Sequence, residues 1–406
     1  MLRCLALLVL SFLVTACASA AATPGPAEPT IAAAGTSAPA PPATPIVMPT
    51  VPAAVPAPPT AVPTAPPGGI SPPRSGGGVT APTSAVTPGS IPSGASGRTG
   101  WSPISAAAAP PARYDHTLTL DPAINRIVLF GGRDGSKTYG DTWLFDLGSK
   151  SWREVRAASA PEARFGHAAA YDPKSKRMLM FAGQGAGFFN DVWAFDAAKE
   201  TWQKLATQGT APAARYGTSA VVDTKRNTLI VTHGFSDGRF DDTFTLDLST
   251  LAWAKLQGID GQPLKRCLHE SVYDAGADRM VLFGGCSSGF GPCPQGDLWT
   301  FDVAASDWNE VNPRQVKPSA RSNPALVADG AGRLILFGGL TRDGAARDLW
   351  SYDIAAGEWT SIVTTGNTPA ARSSHDAVWN PATRQVITFG GKGSSGPLND
   401  LWVFTP

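Results

Sequence analysis

Two carboxylates, Glu270 and Asp376, stand at the same place in a unit that this 406-residue chain repeats six times. Each follows a repeated arginine by four residues. Thr117, Ala168, Ser219 and Ala325 fill that place in the other copies. If the position faces a common axis, two acids project into one channel. Such a pair can hold a cation or divide acid and base work; solvated lining residues are the plainer reading. Glu162 is the only acid in a P-x-x-R lead-in and can face the same entrance.

The arginines themselves are Arg113, Arg164, Arg215, Arg266, Arg321 and Arg372. They suggest either a basic ring for an anionic ligand or a set of structural ties. A third-strand aspartate occurs in every copy, so ion pairs within each unit are the expected role. His116, His167, His269 and His375 share one position in four copies. Buried hydrogen-bonding histidines are the default there, with metal ligation the alternative. His233 replaces a glycine in copy three and is the odd member. No cofactor or metal is expected, since nucleophile elbows, phosphate loops and paired zinc-ligand spacings are absent from the sequence.

What must position these residues is a repeat. The arginines are spaced 51, 51, 51, 55 and 51 residues apart. Each P-x-x-R opens a first strand that ends at an Asx turn, as at Asp121-Pro122. A short apolar run such as RIVLF or RMLMF follows, as expected for a strand buried on both faces. Then come a Gly-Gly pair, an alternating D-x-W-x-F-D strand and a strand carrying a lone tryptophan. These tryptophans are Trp152, Trp202, Trp253, Trp308 and Trp359. Their size suits the gap between twisted neighbouring sheets.

A four-stranded meander cannot bury both faces alone, so radial stacking into a propeller is predicted. The sixth copy ends at Pro406 without its tryptophan, yet Trp101 precedes Arg113 by the same 12 residues that separate Trp152 from Arg164. A strand around Trp101 is therefore expected to complete the last blade and remove an exposed sheet edge.

The Gly-Gly pairs (Gly131-Gly132, Gly284-Gly285, Gly338-Gly339, Gly390-Gly391), the D-x-W segments and the terminal tryptophan resemble the Kelch family of β-propellers, the galactose-oxidase central-domain type. The resemblance implies an all-β, six-bladed Kelch-type propeller over residues 99–406. It is also similar to periplasmic six-bladed Kelch proteins of the N-acetylneuraminate epimerase type. That likeness implies Glu162 or Glu270 as a base and a repeat arginine holding a carboxylate. A copper radical oxidase is set aside, because the one strand thiol, Cys267, has no evident tyrosine partner.

Residues 1–16 read as a lipoprotein signal: Arg3, then an apolar stretch from Leu5 to Val14 broken only by Ser11. Val14-Thr15-Ala16-Cys17 resembles a bacterial lipobox, which implies lipidation of Cys17 and an extracytoplasmic, membrane-anchored chain. An ordinary secretory signal cut near Ala20 is the alternative. Residues 17–98 are rich in Pro, Ala, Thr and Ser, and read as a disordered stalk spanning on the order of 50 Å. With net charge +1 and only 16% charged residues, nucleic acid is not an expected partner.

Of 5 cysteines, Cys286 and Cys293 share the longest loop after any Gly-Gly and are expected to form a local disulfide. The ligand face is expected where loops vary, with Tyr139, Phe188, Phe189, Phe235, Phe240 and Phe290 as exposed contacts. Rim packing is their other reading. The expected function is a monomeric, membrane-anchored binding scaffold for a protein or glycan, with sugar-anomer epimerisation as the alternative.

Overall fold

The computed structural model describes residues 99–257, 263–313 and 316–406. The expected signal, the expected lipidation at Cys17 and the expected stalk lie outside the described residues.

Among the described residues there are six four-stranded antiparallel sheets, accompanied by two short two-stranded hairpins. The fold is an all-β, six-bladed propeller. Blade one runs Thr117–Asp121, Arg126–Phe130, Thr142–Asp146 and Ser151–Val155, from the innermost strand outward. The innermost strands of blades two to five are Ala168–Asp172, Ser219–Asp223, Glu270–Asp274 and Ala325–Ala328. Blade six takes Asp376–Asn380, Gln385–Phe389 and Leu401–Thr405 from the carboxyl end, and its outer strand is Gly100–Ile104. Trp101 lies opposite Phe404, and Ile104 opposite Leu401. The ring thus closes through the two ends of the domain, as the spacing of Trp101 predicts.

The second strands are the centre of each blade. Ile127–Phe130 and its counterparts have almost no exposed surface, which explains their unbroken apolar runs. Every lone tryptophan is a wedge between blades. Trp152 meets Phe145 of its own sheet at 5.1 Å and Phe389 of blade six at 5.2 Å. Trp202 meets Phe195 and Phe130, both at 4.9 Å. Trp101 does the same for the seam, with Phe404 at 5.3 Å and Phe337 at 4.7 Å. Trp253 and Trp359 likewise reach Phe181 and Phe283 of the preceding blade, each at 5.4 Å. Trp308 is the exception, because its preceding blade offers His233 in place of a phenylalanine.

One sequence expectation is corrected. The first strands do not begin at P-x-x-R but four residues past the arginine. The residue two past each arginine is left-handed: Asp115, Gly166, Gly217, Leu268, Asn323 and Ser374 have φ between 49 and 60°. A strand cannot pass through that conformation. These six residues instead form a closed ring of backbone hydrogen bonds. Gly166 N–H donates to Asp115, Gly217 to Gly166, Leu268 to Gly217, Asn323 to Leu268, Ser374 to Asn323, and Asp115 back to Ser374, at 2.8–3.0 Å.

A second set of bonds links the Gly-Gly ends. The second residue of each pair donates to the arginine carbonyl of the next blade, from Gly132 to Arg164 through to Gly391 to Arg113, all at 2.8–2.9 Å. Glycine is required there. Gly132 has φ 94°, and a Cβ on it would lie 2.8 Å from the His116 Cβ.

Candidate functional site

Each repeat arginine is fully buried, and its guanidinium makes four or five hydrogen bonds. Arg113 donates to the Gly131 carbonyl at 2.9 Å, to Asp141 Oδ1 at 2.6 Å, to Asp141 Oδ2 at 2.8 Å and to the Pro111 carbonyl at 3.0 Å. Asp191, Asp242, Asp297, Asp348 and Asp400 pair with the other five arginines in the same way. In five blades a tryptophan adds an indole N–H to the aspartate, as Trp143 does to Asp141 at 2.8 Å. Together these donors hold Asp141 below the usual carboxylate range, against the opposing effect of its burial. No repeat arginine is therefore available to hold a substrate carboxylate, which corrects that part of the epimerase expectation. Glu162 is exposed and outside the channel lining, and its backbone carbonyl accepts from Arg164 Nε at 3.0 Å.

The expected aromatic contact set divides in two. Tyr139 is buried, and Phe189 and Phe240 are half-buried. Their rings cover the guanidinium groups of Arg113, Arg164 and Arg215 at 4.1, 3.9 and 4.0 Å. They complete the arginine clamp in blades one to three, so rim packing describes them. Phe188 and Phe235 remain half-exposed and pack on Tyr216, at 6.0 and 5.7 Å. Phe290 is 54% exposed, inside the loop closed by the Cys286–Cys293 disulfide.

Tyr216 belongs to a set that the sequence reading missed. The residue after each repeat arginine is Tyr114, Phe165, Tyr216, Cys267, Ser322 and Ser373 in turn. Half of the ring is aromatic and half is small. Cations sit over two of these rings, Arg133 over Phe165 at 3.9 Å and Tyr114 at 5.0 Å and Lys392 over Tyr114 at 5.3 Å, and Arg239 sits over the neighbouring Phe235 at 5.4 Å. Arg133 is also held by Asp115 at 2.8 Å. Arg239 reaches from blade three to the Cys286 and Ser288 carbonyls at 2.9 and 2.6 Å. The signal was present in the sequence as an aromatic-to-small change beside an invariant arginine.

Inside the backbone ring lies the central channel, with a volume of about 600 Å³. Glu270 and Asp376 both line it, as their repeat position predicts. Burial and the neighbouring Asp376 charge push the Glu270 carboxyl well up. Burial pushes Asp376 up to about 6, opposed by N–H bonds from Leu118 at 2.6 Å and Ala377 at 2.7 Å.

The histidines lie between blades. His167 Nε2 bonds Thr117 Oγ1 and His269 Nε2 bonds Ser219 Oγ, each at 2.8 Å. His116 and His375 pack edge-on to Phe389 and Phe337. Burial, reinforced by the nearby arginines, lowers their affinity for a proton, and His116 falls to about 3. Cys267 is a buried free thiol opposite Cys286.

A family profile described as the KLHDC2/KLHL20/DRC7 Kelch-repeats domain matches residues 97–285 and 275–406. Adagio protein 3 of Arabidopsis thaliana is 29% identical over 297 residues, covering 68% of this chain and 47% of the relative. Acyl-CoA-binding domain-containing protein 4 of the same plant is 31% identical over 302 residues, covering 70% and 43%. Multiple epidermal growth factor-like domains protein 8 of Homo sapiens is 30% identical over 165 residues, covering 39% and 6%. The chain spans less than half the length of these relatives. The repeat geometry and the two matched segments agree, and the chain belongs to the Kelch-repeat family of β-propellers.

Proposed function

We propose that this chain is an interaction scaffold whose loop face docks a protein partner. The carrying observation is the broken symmetry of that face. Features present in all six blades serve the architecture, so what differs between blades is free for recognition. The departure is an arc of half-exposed Tyr216, Phe188 and Phe235, backed by the buried Tyr114 and Phe165 and interleaved with Arg133, Arg239 and Lys392. Rigid aromatic and arginine groups lose little entropy on binding and dominate protein interfaces. The Kelch match supports a scaffold reading. We further propose that Cys17 carries a lipid, that the stalk extends an extracytoplasmic, monomeric propeller from a membrane, and that a glycan is the competing ligand class.

The test is a peptide and glycan array probed with the chain from residue 18 onward. Binding to peptides that drops at least tenfold in Tyr216→Ala and Phe235→Ala supports the docking face. Equal binding by both variants, or a glycan-only response, rejects it. Incorporation of labelled fatty acid that Cys17→Ser abolishes tests the anchor separately.

A further inference from the structure

We infer that the loop-face end of the central channel is a cation site, with Glu270 and Asp376 as its anionic ligands. The inference is independent of the docking face.

Four acids line the channel among the described residues: Asp115, Glu270, Asp329 and Asp376. Two are neutralised from outside, Asp115 by Arg133 at 2.8 Å and Asp329 by Arg333 at 3.2 Å. Glu270 and Asp376 have no such partner, and the described lining includes neither lysine nor arginine. Both lie two residues inside the ring formed by Leu268 and Ser374, at the same depth in the repeat.

Their repeat position shows what is missing. In blades one and three the equivalent Thr117 and Ser219 bond a histidine of the next blade. Glu270 faces blade five, where proline (Pro324) replaces that histidine and offers no donor. Asp376 faces blade one and takes only the Leu118 N–H from it. The walls add neutral oxygen. Ser271 and Ser219 are paired at 2.8 Å. Thr119 is 5% exposed, lines the channel, and its Oγ1 has no hydrogen-bond partner. Two carboxylates with hydroxyls form a hard-oxygen donor set; the imidazoles of His116 and His375 also line the channel, with no hydrogen-bond partner on either ring nitrogen. Ionising two neighbouring carboxyls with no counter-ion is costly, and a bound cation removes that cost. The volume of about 600 Å³ admits a hydrated metal ion or a small organic ammonium.

Isothermal titration of the full chain with CaCl2, MgCl2, tetramethylammonium chloride and spermidine tests this. One saturable site is expected for at least one of these probes, weakened at least tenfold in Glu270→Gln and Asp376→Asn. Glu270→Ser and Asp376→Thr, which copy Ser219 and Thr117, guard against misfolding and should lose binding equally. Asp343→Asn, in an exposed hairpin, should bind as the parent does. A response to the divalent ions assigns a metal, and a response to the amines assigns an ammonium ligand. No saturable binding by any probe, or affinity unchanged in the channel variants, overturns the inference.

Discussion

His233 stands in for a phenylalanine against Trp308. In four blade interfaces the terminal tryptophan rests on the phenylalanine that closes the preceding second strand, and at the seam Trp101 rests on Phe337 in the same way. Blade three has Thr232 there, and the next residue, His233, turns its ring into the vacant space. It meets Trp308 at 6.1 Å and His269 at 5.4 Å, while its Nδ1 bonds Thr232 Oγ1 at 2.6 Å. Its left-handed backbone, φ 55°, is what a glycine adopts in four other blades and Ala182 in blade two. His233→Gly should therefore open a cavity and Thr232→Phe should overpack, each costing about 1–3 kcal/mol. The double variant restores the Phe-Gly pattern and should recover most of the loss. Urea midpoints for the four proteins give the coupling, and simple additivity would show that the two residues do not substitute for one phenylalanine.

Not all ion pairs in this propeller should matter equally. Asp141→Ala strands Arg113, which has no exposed surface, and should cost about 3–5 kcal/mol. Arg153 and Glu200 also pair across blades one and two, but their side chains are 52 and 33% exposed. Arg153→Ala should cost at most about 1 kcal/mol. Denaturant titration of both variants checks the ranking.

Closure predicts a weak seam. Trp101→Ala removes the wedge between blades five and six and should cost about 3–5 kcal/mol. Limited proteolysis should then cut first near the blade-six strands, because the outer strand Gly100–Ile104 holds one edge of that sheet. Unchanged stability and cleavage would argue against a strand at Trp101.

Two sets of buried groups make stability depend on pH in opposite directions. All 5 histidines are buried, and burial holds His116 and His233 to about 3. The unfolded chain takes up these protons near 6.5 while the folded chain does not. Stability should fall as pH drops from about 6.5 towards 3. Asp376 is raised from 3.8 to about 6 in the folded state, so its contribution is lost as pH rises through that interval. Asp376→Asn should raise the urea midpoint at pH 7.5 and leave it nearly unchanged at pH 4. The opposite pattern would mean that the carboxylate is stabilised in its charged form.

Much of this molecule was legible as text. Six copies of one unit, each too thin to cover its own faces, required a closed radial stack, and the stray tryptophan at residue 101 located the closure. The buried role of the arginines was legible too, since a residue in every copy answers to every copy's packing. Other features depended on distances in space that no spacing encodes. Tyr139 and Phe240 look like loop aromatics until their rings are seen to cover Arg113 and Arg215. The ring from Asp115 to Ser374 joins one residue from each blade by hydrogen bonds between backbone atoms, which carry no side-chain signature. Whether Glu270 meets a donor or a proline likewise turns on the neighbouring blade, about 50 residues away along the chain. Composition and periodicity determine a propeller because they report on burial within a unit. The site was decided by contacts between units, where identical copies end and their differences begin.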